Sequence, residues 1–323
     1  MRRDGGSVAS ASVARSVVIR PFRDDDAPAA APLLREAAPG WLTTPELLVH
    51  EVRDTPERAK LLYLVAEEEG RIVGWGEAQL RWRAADPGIG FVWACVAPGA
   101  RGRGIGSSLL AAAIEHVRAH GVHTLNSTAD AEGAAFAERH GFARTRAERL
   151  SQIEPRAADL SELEPLERAL AADGFCVAPL RELLHRPREL HALYVEAEED
   201  MPTDYPRGEL PFEEWERETL GKPLLDADGS MNVLDGDRPV AFAWLLVDRE
   251  GRRGEHELTG TLRAYRGRGL ARLAKLAALR WAAEQGIEAL LTGNDEENAP
   301  MLAINARLGY RPGPVWVELA RPL

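Results

Sequence analysis

The feature that most constrains this chain is an internal duplication. The hexapeptide "RGRGIG" fills Arg101 to Gly106, and "RGRGLA" fills Arg266 to Ala271, 165 residues further on. Flanking segments match too. "HGVHTLNSTAD" (120–130) pairs with "QGIEALLTGND" (285–295) at the same offset, and "GRIVGWGEAQL" (70–80) with "DRPVAFAWLLV" (237–247). "AAFAERHGF" (134–142) meets "MLAINARLGY" (301–310) once three residues are inserted, and the starts "VIRPFRDDD" and "CVAPLRELL" are alike. A period this long exceeds the roughly 20–50 residues of solenoid repeats. It predicts two copies of one domain, and 323 residues suffice for two cores of roughly 150 residues.

Each copy reads as the same series of elements. In copy one, strands are predicted at 17–22, 61–67, 71–82 and 89–97, with helices at 25–37 and 44–52. After the glycine loop comes the helix "IGSSLLAAAIEHVRAHG", closed by Gly121 in a C-cap position. The strand "TLNSTA", a short helix and a last strand near 143–153 complete that copy. Copy two repeats the series from about 174, its long helix ending at Gly286. The expected organisation is a disordered tail over 1–15, a first domain over 16–155, a linker with some helix over 156–173, and a second domain over 174–323.

The place of the arginine-glycine loop decides its chemistry. It follows a strand ("FVWACVAP", "HELTGTLR") and opens a long helix. Backbone N–H groups of the first helical turn lack partners there, and the helix dipole adds positive potential, so the turn suits an anion such as pyrophosphate. Glycine lets the backbone approach, and Arg101, Arg103, Arg266 and Arg268 add charge. No Lys-Ser/Thr follows, which excludes a P-loop; the third glycine place is Ser107 or Arg272, which excludes a dinucleotide fingerprint.

These residues resemble the GNAT superfamily of N-acetyltransferases, whose Gln/Arg-x-x-Gly-x-Gly/Ala hallmark is met by Arg101, Gly104 and Gly106 and again by Arg266, Gly269 and Ala271. The resemblance spans nearly the whole chain, and copy two is similar to the acyl-CoA half of tandem bacterial members, the mycothiol synthase-like group among them. It implies an α/β (α+β) fold of two tandem domains, each a mixed, mostly antiparallel sheet flanked by helices. It also implies acetyl-CoA as cofactor and transfer to a primary amine of a small molecule or peptide. Carried over, Thr261, Leu262 and Arg263 would meet the pantetheine and acetyl group, and Arg266, Gly267, Arg268, Gly269, Leu270, Ala271 and Arg272 the pyrophosphate. Asn298 would hold the pantetheine arm, though an Asn there is also an ordinary N-cap. In copy one the matching set is Val96, Arg101, Gly102, Arg103, Gly104, Ile105 and Gly106.

Amine attack on a thioester needs a proton acceptor. "GEHELTGT" offers Glu255 and Glu257, and strand alternation would put both on the face of Thr259 and Thr261, with Glu257 slightly preferred. The family's acid tyrosine is replaced by Asn305 in copy two and Ala137 in copy one. A thiolate leaves without obligatory protonation, and Asn305 could donate to the sulfur. At the same 165 offset, Gly90 and Val92 stand opposite Glu255 and Glu257, so copy one is expected not to catalyse, with acetyl-CoA binding at its intact loop left open. Two other readings are a non-catalytic acyl-CoA sensor or scaffold and an acyltransferase with two independent active sites.

The formal charge of -11 disfavours nucleic acid and favours a cationic amine. Cys95 and Cys176 lie in apolar runs and are expected as buried thiols. His116, His120 and His123 lack an acid or cysteine to complete a metal set, so no metal is expected. No apolar stretch reaches the ~18 residues of a membrane span, and a cytoplasmic location is expected. Trp75, Trp244 and Trp316 are candidates to border a substrate cleft, and the acidic stretch 195–218 to cover it.

Overall fold

The computed structural model describes residues 16–323; the tail expected over 1–15 lies outside the described residues. Copy one runs β1 (Val17–Pro21), α1 (Ala27–Ala37), α2 (Pro45–Asp54), β2 (Leu62–Glu68), β3 (Arg71–Leu80), β4 (Ile89–Val96), α3 (Ile105–Ala119), β5 (Thr124–Ala129), α4 (Ala131–Arg139) and β6 (Ala143–Ile153). Helix α5 (Leu163–Ala172) lies between the copies. Copy two follows with β7 (Phe175–Pro179), α6 (Pro187–Glu199), α7 (Phe212–Trp215), β8 (Met231–Asp235), β9 (Arg238–Asp248), β10 (Arg253–Thr261), α8 (Leu270–Glu284), β11 (Ala289–Asp295), α9 (Ala299–Arg307) and β12 (Arg311–Pro322).

All the strands belong to one sheet in the order β1-β2-β3-β4-β5-β12-β6-β11-β10-β9-β8-β7. Pairing is antiparallel except where β4 meets β5 and β10 meets β11. Each parallel contact is short, Ile89–Phe91 with Thr124–Asn126 and Arg253–Glu255 with Ala289–Leu291, after which the strands diverge. In copy one that divergence opens a slot above the glycine loop.

At its centre the sheet interleaves strands of the two copies. The last strand of each copy completes the sheet of the other: β12 pairs with β5, β6 pairs with β11, and β12 and β6 pair with each other. Strand pattern fixes which residues of β6 and β12 face inward, but it cannot say which free edge they join. The cores record the exchange. Leu319 of β12 is fully buried among Val92, Leu110 and Leu125 of copy one, and Ile153 of β6 packs in the core of copy two.

Copy two has the larger core, built on Tyr194, Trp215, Phe242 and Trp244, whose rings meet at 4.9–6.2 Å. Trp244 is therefore core and borders no cleft. Cys176 is exposed rather than buried because it sits on β7, the sheet's outer strand, while Cys95 is half-buried. No helix among the described residues is long and apolar enough to cross a membrane.

Leu319→Ala tests the exchange. It should cost about 2–5 kcal/mol, as expected for a truncated buried leucine. Hydrogen exchange should show the lost protection in α3 of copy one as well as in β12 of copy two.

Candidate active site

The two loops are built alike. Gly102, Gly104, Gly267 and Gly269 all have φ between 74° and 85°, the left-handed region open to glycine. A Cβ on Gly102, Gly104 or Gly267 would meet no protein atom within 4 Å, so the backbone faces open space. Gly104 and Gly269 cap α3 and α8 without any side-chain bond to the first-turn N–H groups. The first arginine of each loop pins the preceding strand end: Arg101 Nε donates to the Val96 carbonyl at 3.0 Å and Arg266 Nε to the Thr261 carbonyl at 3.1 Å. The guanidiniums are otherwise held by acids, Arg101 by Glu132 at 2.9 Å, Arg266 by Asp200 at 2.6 Å and Arg103 by Glu68. The exposed pairs of Arg101 and Arg266 yield readily to a phosphate, whereas Glu68 is itself buried.

In copy one the slot is a cavity of about 490 Å³, lined by Val96, Arg101, Gly102, Gly104, Ile105 and Gly106 among others. Beside it, under α1 and α2, lies a pocket of about 220 Å³, and Trp93 and Thr128 wall both. Trp75 borders the smaller pocket and Trp316 the larger.

In copy two the strand carries an irregularity. His256 pairs with Leu245 and Leu258 with Trp244, leaving Glu257 as one extra, bulged residue. The expected face is corrected by it. Phe242 stacks on Tyr194 of α6 and pairs with Gly260, so Glu255, Leu258 and Gly260 face α6. Thr259 and Thr261 face the other way, toward α8. The bulge also corrects the match between copies. Gly90 and Gly254 hold the same place against Leu125 and Leu290, so Phe91 stands for Glu255, Val92 for His256, and Glu257 has no counterpart.

The two acids differ in circumstance. Glu255 is half-buried, and its Oε2 accepts the Leu42 N–H from the α1–α2 loop at 2.7 Å. Burial pushes its carboxyl up to about 8, with Glu257 and Glu148 adding to the rise and the Leu42 N–H and Lys222 opposing it. Glu257 is held by Lys222, whose ammonium lies 2.8 and 3.0 Å from its two oxygens. Burial works against the Lys222 charge, but Glu257, then Glu51 and Glu255, outweigh it and raise its pKa.

Several carried-over positions are used differently. The Leu262 N–H donates to the Val240 carbonyl and the Arg263 N–H to Glu196, so neither amide is free for a pantetheine arm. Asn298 caps α9 through the Met301 N–H and lines a central pocket of about 210 Å³ with Asn294, Asp295 and Tyr205. Asn305 is buried, donating to Asn294 Oδ1 at 2.5 Å while its own Oδ1 has no partner. Its counterpart Ala137 lines the copy-one cavity. In the stretch 195–218, Glu198 and Glu214 bind Arg83 and Arg58 of copy one, so these acids tie the copies together.

A buried polar trio escaped the sequence reading. His256 Nε2 lies 2.8 Å from the Tyr310 hydroxyl, and the Lys275 ammonium sits 5.0 Å over the Tyr310 ring with no hydrogen-bond partner. The matching copy-one residues are Val92, Phe142 and Leu110, all apolar. A lysine and a histidine among apolar neighbours were the available signal.

The chain belongs to the Acetyltransferase (GNAT) family, which it matches over residues 29–142 and 188–310, and it is a tandem-domain acyltransferase. Among similar proteins is the mycothiol acetyltransferase of Streptomyces bingchenggensis, 26% identical over 268 residues covering 80% of each chain. That of Kytococcus sedentarius is 27% identical over 281 residues, covering 83% of this chain and 84% of its own. The fold is shared with a tandem GNAT protein from the clavulanic acid biosynthesis pathway, with a TM-score of 0.69 at 22% identity over 95% of this chain and 98% of that one. A GCN5-related N-acetyltransferase from Sphaerobacter thermophilus gives 0.67 at 18% over 95% of each.

Lys275→Leu, the residue copy one carries at Leu110, should stabilise the protein by about 1–3 kcal/mol. Burial lowers the Lys275 pKa to about 7, whereas an unfolded lysine stays charged to about 10.4. The unfolded chain then binds the extra proton, so this group makes stability rise with pH between those values. Melting curves across that window should lose the corresponding slope in the variant.

Proposed function

We propose that the protein transfers an acetyl group from acetyl-CoA to a primary amine of a small molecule or peptide by direct attack in a ternary complex, with copy two as catalyst. The observation that carries this reading is Glu255. It is a half-buried carboxyl, fixed by the Leu42 N–H, on the strand leading into an arginine-glycine loop, in a chain whose family is that of acetyltransferases. The mycothiol acetyltransferases support a small-molecule amine as acceptor.

The residues fit the coenzyme. Gly267 presents backbone with nothing to obstruct a ligand, and the orphaned buried Oδ1 of Asn305 offers an acceptor for an amide N–H. Arg266 and Arg268 would meet the pyrophosphate with the first-turn amides of α8. Arg272 and Arg307, joined in this structure by Glu162, flank the same mouth. When bound, acetyl-CoA supplies the activated acyl group.

Glu255 takes the proton that the attacking amine must lose. Glu257 is engaged by Lys222 through both oxygens, and a proton there would break that pair. Its role is to hold Lys222 beside the two acids, while its own charge adds to the rise of the Glu255 pKa. Asn305, fixed by Asn294, positions the end of the coenzyme arm.

A carboxyl of pKa about 8 is protonated below that value and cannot accept a second proton. The acetylation rate should therefore fall roughly tenfold per pH unit below about 8. Glu255→Gln should remove that limb and lower turnover by roughly 10²–10⁴ with acetyl-CoA affinity retained. A pH profile unchanged in the variant counts against Glu255. Gly269→Val, which puts a side chain on a left-handed residue at the loop, should abolish acetyl-CoA binding at copy two by calorimetry.

A further inference from the structure

We propose that copy one is a second acyl-transfer site, taking a small primary amine with an aromatic or apolar body into the pocket beneath α1 and α2, with Glu77 as proton acceptor. The proposal rests on the acetyl-CoA reading above. The expectation that copy one is silent came from β4, which carries no carboxylate. The structure brings carboxylates from elsewhere. Glu77 stands on the neighbouring strand β3, directly opposite Trp93, and Glu51 reaches in from α2.

Three observations carry it. The cavity at the Arg101–Gly106 loop, about 490 Å³, is open and roomy. It shares the walls Trp93 and Thr128 with the smaller pocket, so the two adjoin at those residues. The smaller pocket is lined by aromatic rings of Trp41, Trp75, Phe91 and Trp93, and its acids are Glu51 and Glu77. Rings plus carboxylates are the chemistry that recognises an ammonium on an apolar body.

The two acids divide the work. Glu51 accepts the Tyr63 hydroxyl at 2.6 Å and is fixed by it, which suits it to hold the incoming cation. Glu77 accepts only the Gln79 amide at 2.8 Å among the described contacts. Burial, then Glu51, push the Glu77 carboxyl up to about 7, against the pull of Gln79 and Arg81. The charged and titratable groups facing this pair are Tyr63, His50, Arg81 and, from copy two, Lys222 and Glu257. A base titrating there works near neutral pH.

The step balances. The amine arrives as a cation and sheds one proton to solvent. Its nitrogen then forms the N–C bond as the thioester C–S bond breaks, and the second N–H proton passes to Glu77. The coenzyme leaves as a thiolate and recovers that proton, giving an acetamide and a free thiol with Glu77 restored.

The test uses the full chain with copy two disabled by Glu255→Gln and Gly269→Val, with acetyl-CoA and phenethylamine as probes. Coenzyme A release, followed with a thiol reagent, is expected to persist. Adding Glu77→Gln should lower kcat/KM by roughly 10²–10⁴, while calorimetry still shows one acetyl-CoA bound, which reports that the variant is folded. Without acetyl-CoA, phenethylamine should change tryptophan fluorescence, and Glu51→Gln should weaken that binding about tenfold. Release by the wild-type chain but not by the copy-two-disabled chain would overturn the proposal and leave copy two as the enzyme. A residual rate indifferent to Glu77→Gln also overturns it. A wild-type chain that releases no coenzyme A with any amine overturns both readings.

Discussion

The pairing of β6 with β12 is the contact on which the rest depends. Each glycine loop needs a strand pair that begins parallel and then parts, and a parted strand leaves an edge that another strand must satisfy. In this chain that strand comes from the other copy, so β5 and β11 are each closed by a neighbour's last strand. Neither slot has a finished wall until both copies have folded. The linker and the α1–α2 loop then fall into place: Leu42 reaches Glu255, and Arg253 donates to the Pro39 carbonyl at 2.7 Å.

A cluster of acids results between the copies. Glu51, Glu255 and Glu257 all bear on Lys222, one cation placed where it moderates three carboxylates. Burial raises Glu255 and Glu77 toward neutrality by the same physics, although one sits on the strand before its loop and the other one strand further away.

Much of this was legible in the sequence. The duplication, the element order and the two anion-seeking turns follow from spacing, glycine and periodicity, which are local properties. The bulge at Glu257 was not legible, because one extra residue in a strand leaves the hydrophobic pattern readable in either register. Its consequence was a wrong match of Glu255 to Gly90 rather than Phe91. Glu77 was missed for another reason: its counterpart Trp244 is core, so comparing the copies offered no signal there. Strand exchange leaves no trace in periodicity, since Leu319 alternates inward in either sheet. Asn305 was found by alignment, but its bond to Asn294 depends on how α9 is set against β11.

The direction of the strands has a consequence for how the two loops coexist. Because β5 and β11 run in opposite senses, β4 and β10 do too, and the loops open at opposite edges of the sheet. Five strand spacings separate β4 from β10, about 24 Å across the sheet. At physiological ionic strength charges are screened over about 8 Å. Two polyanions bound at the two loops would scarcely feel each other, so filling one raises no electrostatic barrier to filling its twin. Any coupling between the copies must pass through the strands they exchange and the lysine they share.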